Sequence, residues 1–194
     1  MIASNDVVLR AIQTRAQIMG LQNRALTLGP DFGGAINEPK YLPAYWRYSG
    51  RTYQASRDDW NSFRSLPDSV RASILIMSGL YGLVPFDEFI QNYDCHITDT
   101  DVKMGQTVVT YWGATMTDIL LSHCDRLEAA GTKVGPIVDL LSEKSYQLAI
   151  DWPRVYARYS VLHRVFQNKI DRDALVNIGI FLRTLLRDPT RAAS

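Results

Sequence analysis

Ser73-Ile74-Leu75-Ile76-Met77-Ser78-Gly79-Leu80-Tyr81-Gly82-Leu83-Val84-Pro85-Phe86-Asp87 is the stretch on which the fold turns. Residues 73–78 hold a short continuous apolar run closed by serine, the pattern of a buried strand. Gly79 and Gly82 then break the run, and an acid follows at Asp87. Glycine after a strand lets backbone N–H groups approach a ligand closely, and exposed N–H groups suit an anion. A plain chain reversal needs the same glycines, so both readings stand at this point.

Outward from this run, residues 106–130 predict the clearest helix. Met116, Ile119, Leu120, Cys124 and Leu127 repeat at three and four, and Gly131 occupies the place where helices end. Pro136-Ile137-Val138-Asp139-Leu140-Leu141 predicts a second short buried strand. Residues 154–166 alternate weakly through Val155, Ala157, Tyr159 and Val161, which fits a strand. Residues 171–187 predict a closing helix, capped by Asp171 and striped by Leu175, Ile178, Leu182 and Leu185. Upstream, residues 5–21 read as an amphipathic helix and 56–72 as a helix interrupted at Pro67. Residues 28–34 form a glycine-rich turn without the Gly-Lys-Ser/Thr of a phosphate loop. Strands interleaved with helices point to an α/β or α+β class. The expectation is a single domain over 1–194, a small mixed sheet flanked by helices.

The chain has 194 residues, 46% hydrophobic and 21% charged, enough to build a full core without staples. Its net charge of +1 conceals an uneven distribution. Residues 1–84 carry nine basic and six acidic side chains, 85–151 carry four and eleven, and 152–194 carry eight and three. Basic ends around an acidic middle could make one face suit phosphates, or could be solvated helix surface. Two cysteines, Cys95 and Cys124, are too few for a secreted disulfide scaffold. The first residues lack the basic and apolar regions of a signal peptide, and no apolar run is long enough to span a bilayer. These features lead to the expectation of a cytoplasmic protein. Cys95-His96 and His123-Cys124 are adjacent pairs without a zinc spacing, and His163 has no near partner. No metal and no cofactor is expected.

Four segments in order carry a family resemblance. Ser78-Gly79-Leu80-Tyr81-Gly82, with Asp87 and Tyr93 downstream, resembles the Ser-Gly-Leu-Tyr-Gly motif of the YaaA family of peroxide-stress proteins. Tyr48-Ser49-Gly50-Arg51-Thr52-Tyr53 resembles its Gly-x-x-Tyr segment. Tyr111-Trp112-Gly113 resembles the Trp-Gly before its central helix. Asp139-Leu140-Leu141-Ser142-Glu143-Lys144-Ser145-Tyr146 resembles its strand-end Asn-Leu-x-Ser-x-x-Tyr element. The likeness is strongest over 41–170. It departs at the start, where family members open with a strand and a Ser-x-x-Lys-like turn and this chain reads as a helix. A divergent or N-terminally shortened member is implied.

The resemblance implies a DNA-binding protein of the oxidative-stress response that limits iron-associated damage. No ligand cluster for direct iron storage is present. In residue terms, Ser78, Gly79, Tyr81, Gly82 and Ser142 would border one crevice if their strands were parallel neighbours. Tyr53, Tyr93, Trp112 and Tyr146 offer faces on which a base stacks, each worth ~1–3 kcal/mol. Arg47 and Arg51, flanking Gly50, suit a phosphate. The same aromatics and glycines also serve as core and turn residues. The alternative is a nucleobase- or nucleotide-processing enzyme acting at an N-glycosidic bond, with Asp87 as acid/base and Ser78 beside it. Asp87 as a local helix cap is the competing role. A third possibility is self-association or a partner chain that supplies the missing first strand.

Overall fold

The computed structural model describes residues 41–56, 63–100, 107–141, 144–164 and 174–188. The expected helix at 5–21 in place of the family's opening strand, the glycine-rich turn at 28–34, Ser142 and the Asp171 cap lie outside the described residues.

The apolar run closed by Ser78 forms β2 (Leu75–Ser78), and the chain returns at once as β3 (Gly82–Pro85). The two pair antiparallel, Ser78 opposite Gly82 and Leu75 opposite Pro85. A three-residue loop, Gly79-Leu80-Tyr81, closes the hairpin, and Gly82 follows with φ +76°. A residue in the left-handed region after such a loop lets the strands keep their twist, and glycine takes it without steric cost. Ser78 Oγ accepts the Tyr81 N–H at 2.9 Å, which pins the turn from inside.

Around the hairpin stand β1 (Tyr41–Pro43), α1 (Ala44–Arg47), α2 (Arg51–Ser56), α3 (Asp68–Ala72) and β4 (Phe89–Gln91). β1 pairs antiparallel with β4, Tyr41 facing Gln91. The long helix α4 (Val108–Ala129) starts on Thr107, whose hydroxyl accepts the Thr110 N–H at 3.2 Å. Its stripe, Met116, Ile119, Leu120 and Cys124, is buried as the spacing predicts. Gly131, at φ +83°, follows its end. Within α4, Gly113 breaks the helical path at φ +43°, so the first turn carrying Trp112 packs at its own angle.

The second half holds β5 (Ile137–Asp139), α5 (Lys144–Gln147), α6 (Trp152–Tyr156), β6 (Val161–His163) and α7 (Ala174–Arg187). β5 and β6 pair in parallel, Asp139 opposite His163, with both short helices in the crossover.

The α/β class is thus observed, with two departures from expectation. The sheet is three two-stranded pairs among the described residues, and β2 does not pair with β5. A three-residue loop closes at little entropic cost, so β3 takes the place beside β2. Residues 154–166 are not one strand. Asp151 accepts the Arg154 N–H and Pro153 sits in the first turn of α6. That start signal outweighs the weak alternation, and only Val161–His163 is extended.

The core joins both halves. Tyr45 stacks on Phe86, and Phe63 packs tilted against Tyr45 and edge-on to Phe86, at centroid separations of 4.9–5.5 Å. Trp112, Ile90, Ile97, Met116 and Val155 are sealed around them. Helix α7 meets α2 at Gly179, where Thr52 also donates its hydroxyl to the Leu175 carbonyl at 2.9 Å. A Cβ at Gly179 would lie 2.2 Å from the Thr52 carbonyl oxygen and 2.7 Å from the Ala55 Cβ. Gly179→Ala is therefore expected to lower stability by about 1–3 kcal/mol through overpacking. A urea titration checks this: the midpoint falls with an unchanged slope, and an unmoved midpoint refutes the contact.

Candidate functional site

The hairpin turn is fixed from three sides. A Cβ on Gly79 would stand 2.3 Å from the Cys95 carbonyl oxygen, a distance no side chain survives. Trp112 donates its indole N–H to the Gly79 carbonyl at 2.8 Å. The Trp112 ring lies against Gly82, 3.1 Å from where a Cβ would be. The two glycines are thus required by backbone approach and by conformation, and Trp112 is a buried brace, 1% exposed.

From this turn a chain of hydroxyls runs outward. Ser78 Oγ meets the Tyr93 hydroxyl at 2.6 Å, and Tyr93 meets the Tyr48 hydroxyl at 2.5 Å. Tyr48 stacks on Tyr53 at 5.2 Å with 23° between the planes, and Tyr93 stands edge-on to Tyr48 and to Tyr81. Tyr146, near enough to influence the Tyr53 phenol electrostatically, hydrogen-bonds His96 Nε2 at 2.9 Å. Tyr48, Tyr53, Tyr93 and Tyr146 are all half-buried, whereas Ser78 and Tyr81 are sealed.

Of the residues expected to share a site, Ser78, Gly79, Tyr81, Gly82, Tyr53, Tyr93 and Tyr146 do gather. Gly50 sits below the Tyr53 ring, and the Arg51 side chain is exposed at the start of α2. Arg47 is half-buried beside the Ile90 carbonyl at 3.5 Å, and burial lowers its pKa. Tyr81 faces inward, its hydroxyl accepting the Gln91 N–H at 3.2 Å, so it is a support rather than a stacking face.

Asp87 does not join them. It follows β3 past Pro85, which pairs with Leu75, at the end of the hairpin opposite Ser78. Three residues of strand separate the two ends, about 10 Å. There Asp87 approaches Arg71 of α3 at 3.9 Å. No helix begins at Phe86 for it to cap; Phe86 and Asp87 form a turn. His123 is held by the Ala72 carbonyl at 2.7 Å, before β2 begins, so no Ser78-His123-Asp87 triad forms.

Two groups escaped sequence reading. Tyr48, the member of the stacked pair that Tyr93 ties to Ser78, was visible only as the first residue of the Tyr48–Tyr53 segment. Asp139 and His163, a buried carboxylate with an imidazole 2.7 Å away, end two strands whose pairing no local pattern announces. No three His, Cys, Asp or Glu side chains among the described residues cluster to hold a metal. No helix among them is long and apolar enough to cross a membrane.

The cluster carries a titration signature. Burial raises the phenol pKa values of Tyr48 and Tyr53, lifts Tyr93 well above the ordinary value and pushes Tyr81 up to about 12. Above pH about 10 the unfolded chain releases these protons while the folded one keeps them. Stability is full below that pH and falls as pH rises toward 12, by about 1.4 kcal/mol per pH unit for each tyrosine. Denaturant midpoints measured from pH 9 upward should decline accordingly, with less phenolate absorbance than the tyrosine content gives. Full phenolate absorbance in the folded protein at pH about 10.5 would mean the phenols are open to solvent.

No curated protein matches the chain. The model of the peroxide stress protein YaaA family matches residues 9–184, nearly the whole length, and includes the turn, the aromatic cluster and both parallel strands. With the hairpin glycines and the Trp112 brace in place, the chain belongs to the YaaA family of peroxide-stress proteins.

Proposed function

We propose that this chain binds nucleic acid within the cytoplasmic peroxide-stress response, at the aromatic face that Tyr48, Tyr53, Tyr93 and Tyr146 present beside Gly50 and Arg51. One observation carries the reading: the stacked Tyr48–Tyr53 pair, half-buried and next to the exposed start of α2. Tyr48 and Tyr93 are held by the hydroxyl chain and Tyr53 by its stacking on Tyr48, so a base stacks on rings already ordered. Arg51 adds charge for the backbone phosphate, and glycine at position 50 leaves room for it. Single-stranded nucleic acid suits this face better than duplex, because only an unpaired base offers its ring for stacking. The enzymatic alternative needs a carboxylate at Ser78, and Asp87 lies at the other end of the hairpin.

Fluorescence anisotropy with labelled single-stranded and duplex DNA across a salt series tests the proposal. The expected result is tighter single-strand binding whose affinity falls steeply with salt. Arg51→Ala, at an exposed position, should make that log–log slope shallower by about 0.7. Salt-independent binding, or none to either form, overturns the reading.

A further inference from the structure

Away from the tyrosine cluster, the parallel pair β5–β6 ends in a second constellation. Asp139 closes β5 with its side chain 1% exposed. Its Oδ1 accepts the Leu141 N–H at 2.9 Å, and its Oδ2 faces His163 Nδ1 at 2.7 Å. His163 closes β6, opposite Asp139 in the register, with about a third of its side chain exposed. The other ring nitrogen, Nε2, meets the hydroxyl of Tyr156, a residue 51% exposed on α6. Trp152, one turn earlier on α6, sets its ring edge-on to His163 at 4.8 Å.

The order of donors follows from chemistry. A carboxylate only accepts, so Nδ1 of His163 carries a proton, and in the neutral imidazole Nε2 holds the lone pair. Nε2 therefore accepts from the Tyr156 O–H. A buried acid orients an imidazole, and the imidazole takes the proton of a hydroxyl open to solvent. This is the arrangement that activates a nucleophile in triads built on any fold. A phenol gives up its proton far more readily than the aliphatic hydroxyl of serine. A purely structural His–Asp contact would not require a solvent-exposed hydroxyl on the outer nitrogen.

We propose that Asp139, His163 and Tyr156 form a nucleophilic site for an uncharged acyl group, an ester or thioester. The Tyr156 oxygen attacks the carbonyl carbon while its proton passes to His163 Nε2. The alkoxide or thiolate then leaves, taking that proton back from the imidazolium, and an O-acyl-tyrosine remains. The surroundings favour a neutral substrate over a phosphoryl one. Arg154 and Arg158 are paired with Asp118 and Asp125 of α4, and Arg164 turns onto the Phe181 ring at 5.9 Å. Trp152 and the Tyr156 ring offer the acyl group an aromatic flank. The site does not depend on nucleic-acid binding at the other cluster.

The test is acylation of the full chain by p-nitrophenyl acetate, with the modified residue located by peptide mass spectrometry. Tyr156 should acetylate at least about tenfold faster than N-acetyltyrosinamide under the same conditions, as general-base assistance requires. His163→Gln should bring Tyr156 back to the rate of the free amino acid, and Tyr156→Phe should remove the fast label. Circular dichroism confirms that each variant folds; His163→Gln, at a half-exposed strand end, is the milder change. Asp139→Asn, which keeps the volume but not the imidazole orientation, should slow the reaction to a similar degree. Tyr156 reacting no faster than the free amino acid overturns the proposal, as does an unchanged rate in folded His163→Gln. Acetyl on His163 in place of Tyr156 refutes the phenol as nucleophile.

Discussion

The close approach of the Gly79 backbone to the Cys95 carbonyl governs what surrounds it. A Cβ at Gly79 would come within 2.3 Å of that oxygen, so the two segments touch only because the side chain is a hydrogen. The contact carries the 92–96 segment over the hairpin turn and so brings Tyr93 to Ser78. It also leaves the Gly79 carbonyl to face α4, where the Trp112 indole satisfies it. A buried carbonyl without a donor would cost about 1–3 kcal/mol. The Gly113 break lets α4 deliver that donor, since an unbroken helix would turn the first five residues along the axis of the rest. One missing methyl group thus connects the hairpin, the long helix and the tyrosine cluster.

Those hydroxyls are polar atoms under or near the surface, and each finds a partner. Ser78 serves both the Tyr81 N–H and the Tyr93 hydroxyl; Tyr93 in turn serves Tyr48. A chain of this kind fixes ring orientation more tightly than packing alone, because a ring rotated out of place abandons a buried bond. Rigidity is what a stacking surface needs and a hydrophobic core does not. The arrangement explains why tyrosine, and not phenylalanine, stands at positions 48 and 93.

How far the sequence discloses this differs by level. The turn glycines, the α4 stripe and its Gly131 end are local patterns, and they came through because their causes lie within a few residues. The misplaced Asp87 has a local cause too. Ser78 opposite Gly82 makes a hairpin, and a hairpin carries every later residue back along β2, away from the serine. Of the two readings of the glycines, ligand loop and chain reversal, only the second carries Asp87 away from Ser78. For Trp112 and Tyr81 the sequence left core and stacking roles both open, since an indole N–H braced on a carbonyl and one aimed at a base look alike in a sequence. Asp139 and His163 lie 24 residues apart, joined by a parallel register that only the crossover through α5 and α6 creates.

Charge gives the last step. The acidic middle and the basic end of the chain suggest a polarised molecule, yet folding sets them against each other. Arg154 on α6 and Arg158 in the turn just after it face Asp118 and Asp125 on α4, so segment totals cancel along that helix. Exposed pairs of this kind contribute little to stability, but they occupy two guanidinium groups that a count along the chain would assign to phosphate. Among the described arginines, Arg51 is exposed beside the stacked tyrosines, the position the proposed nucleic-acid face requires. The same pairing occupies the arginines on either side of Tyr156 in the chain. Among the described residues the Asp139–His163–Tyr156 corner is flanked by the Trp152 and Tyr156 rings, the setting on which the proposal of a neutral acyl group rests.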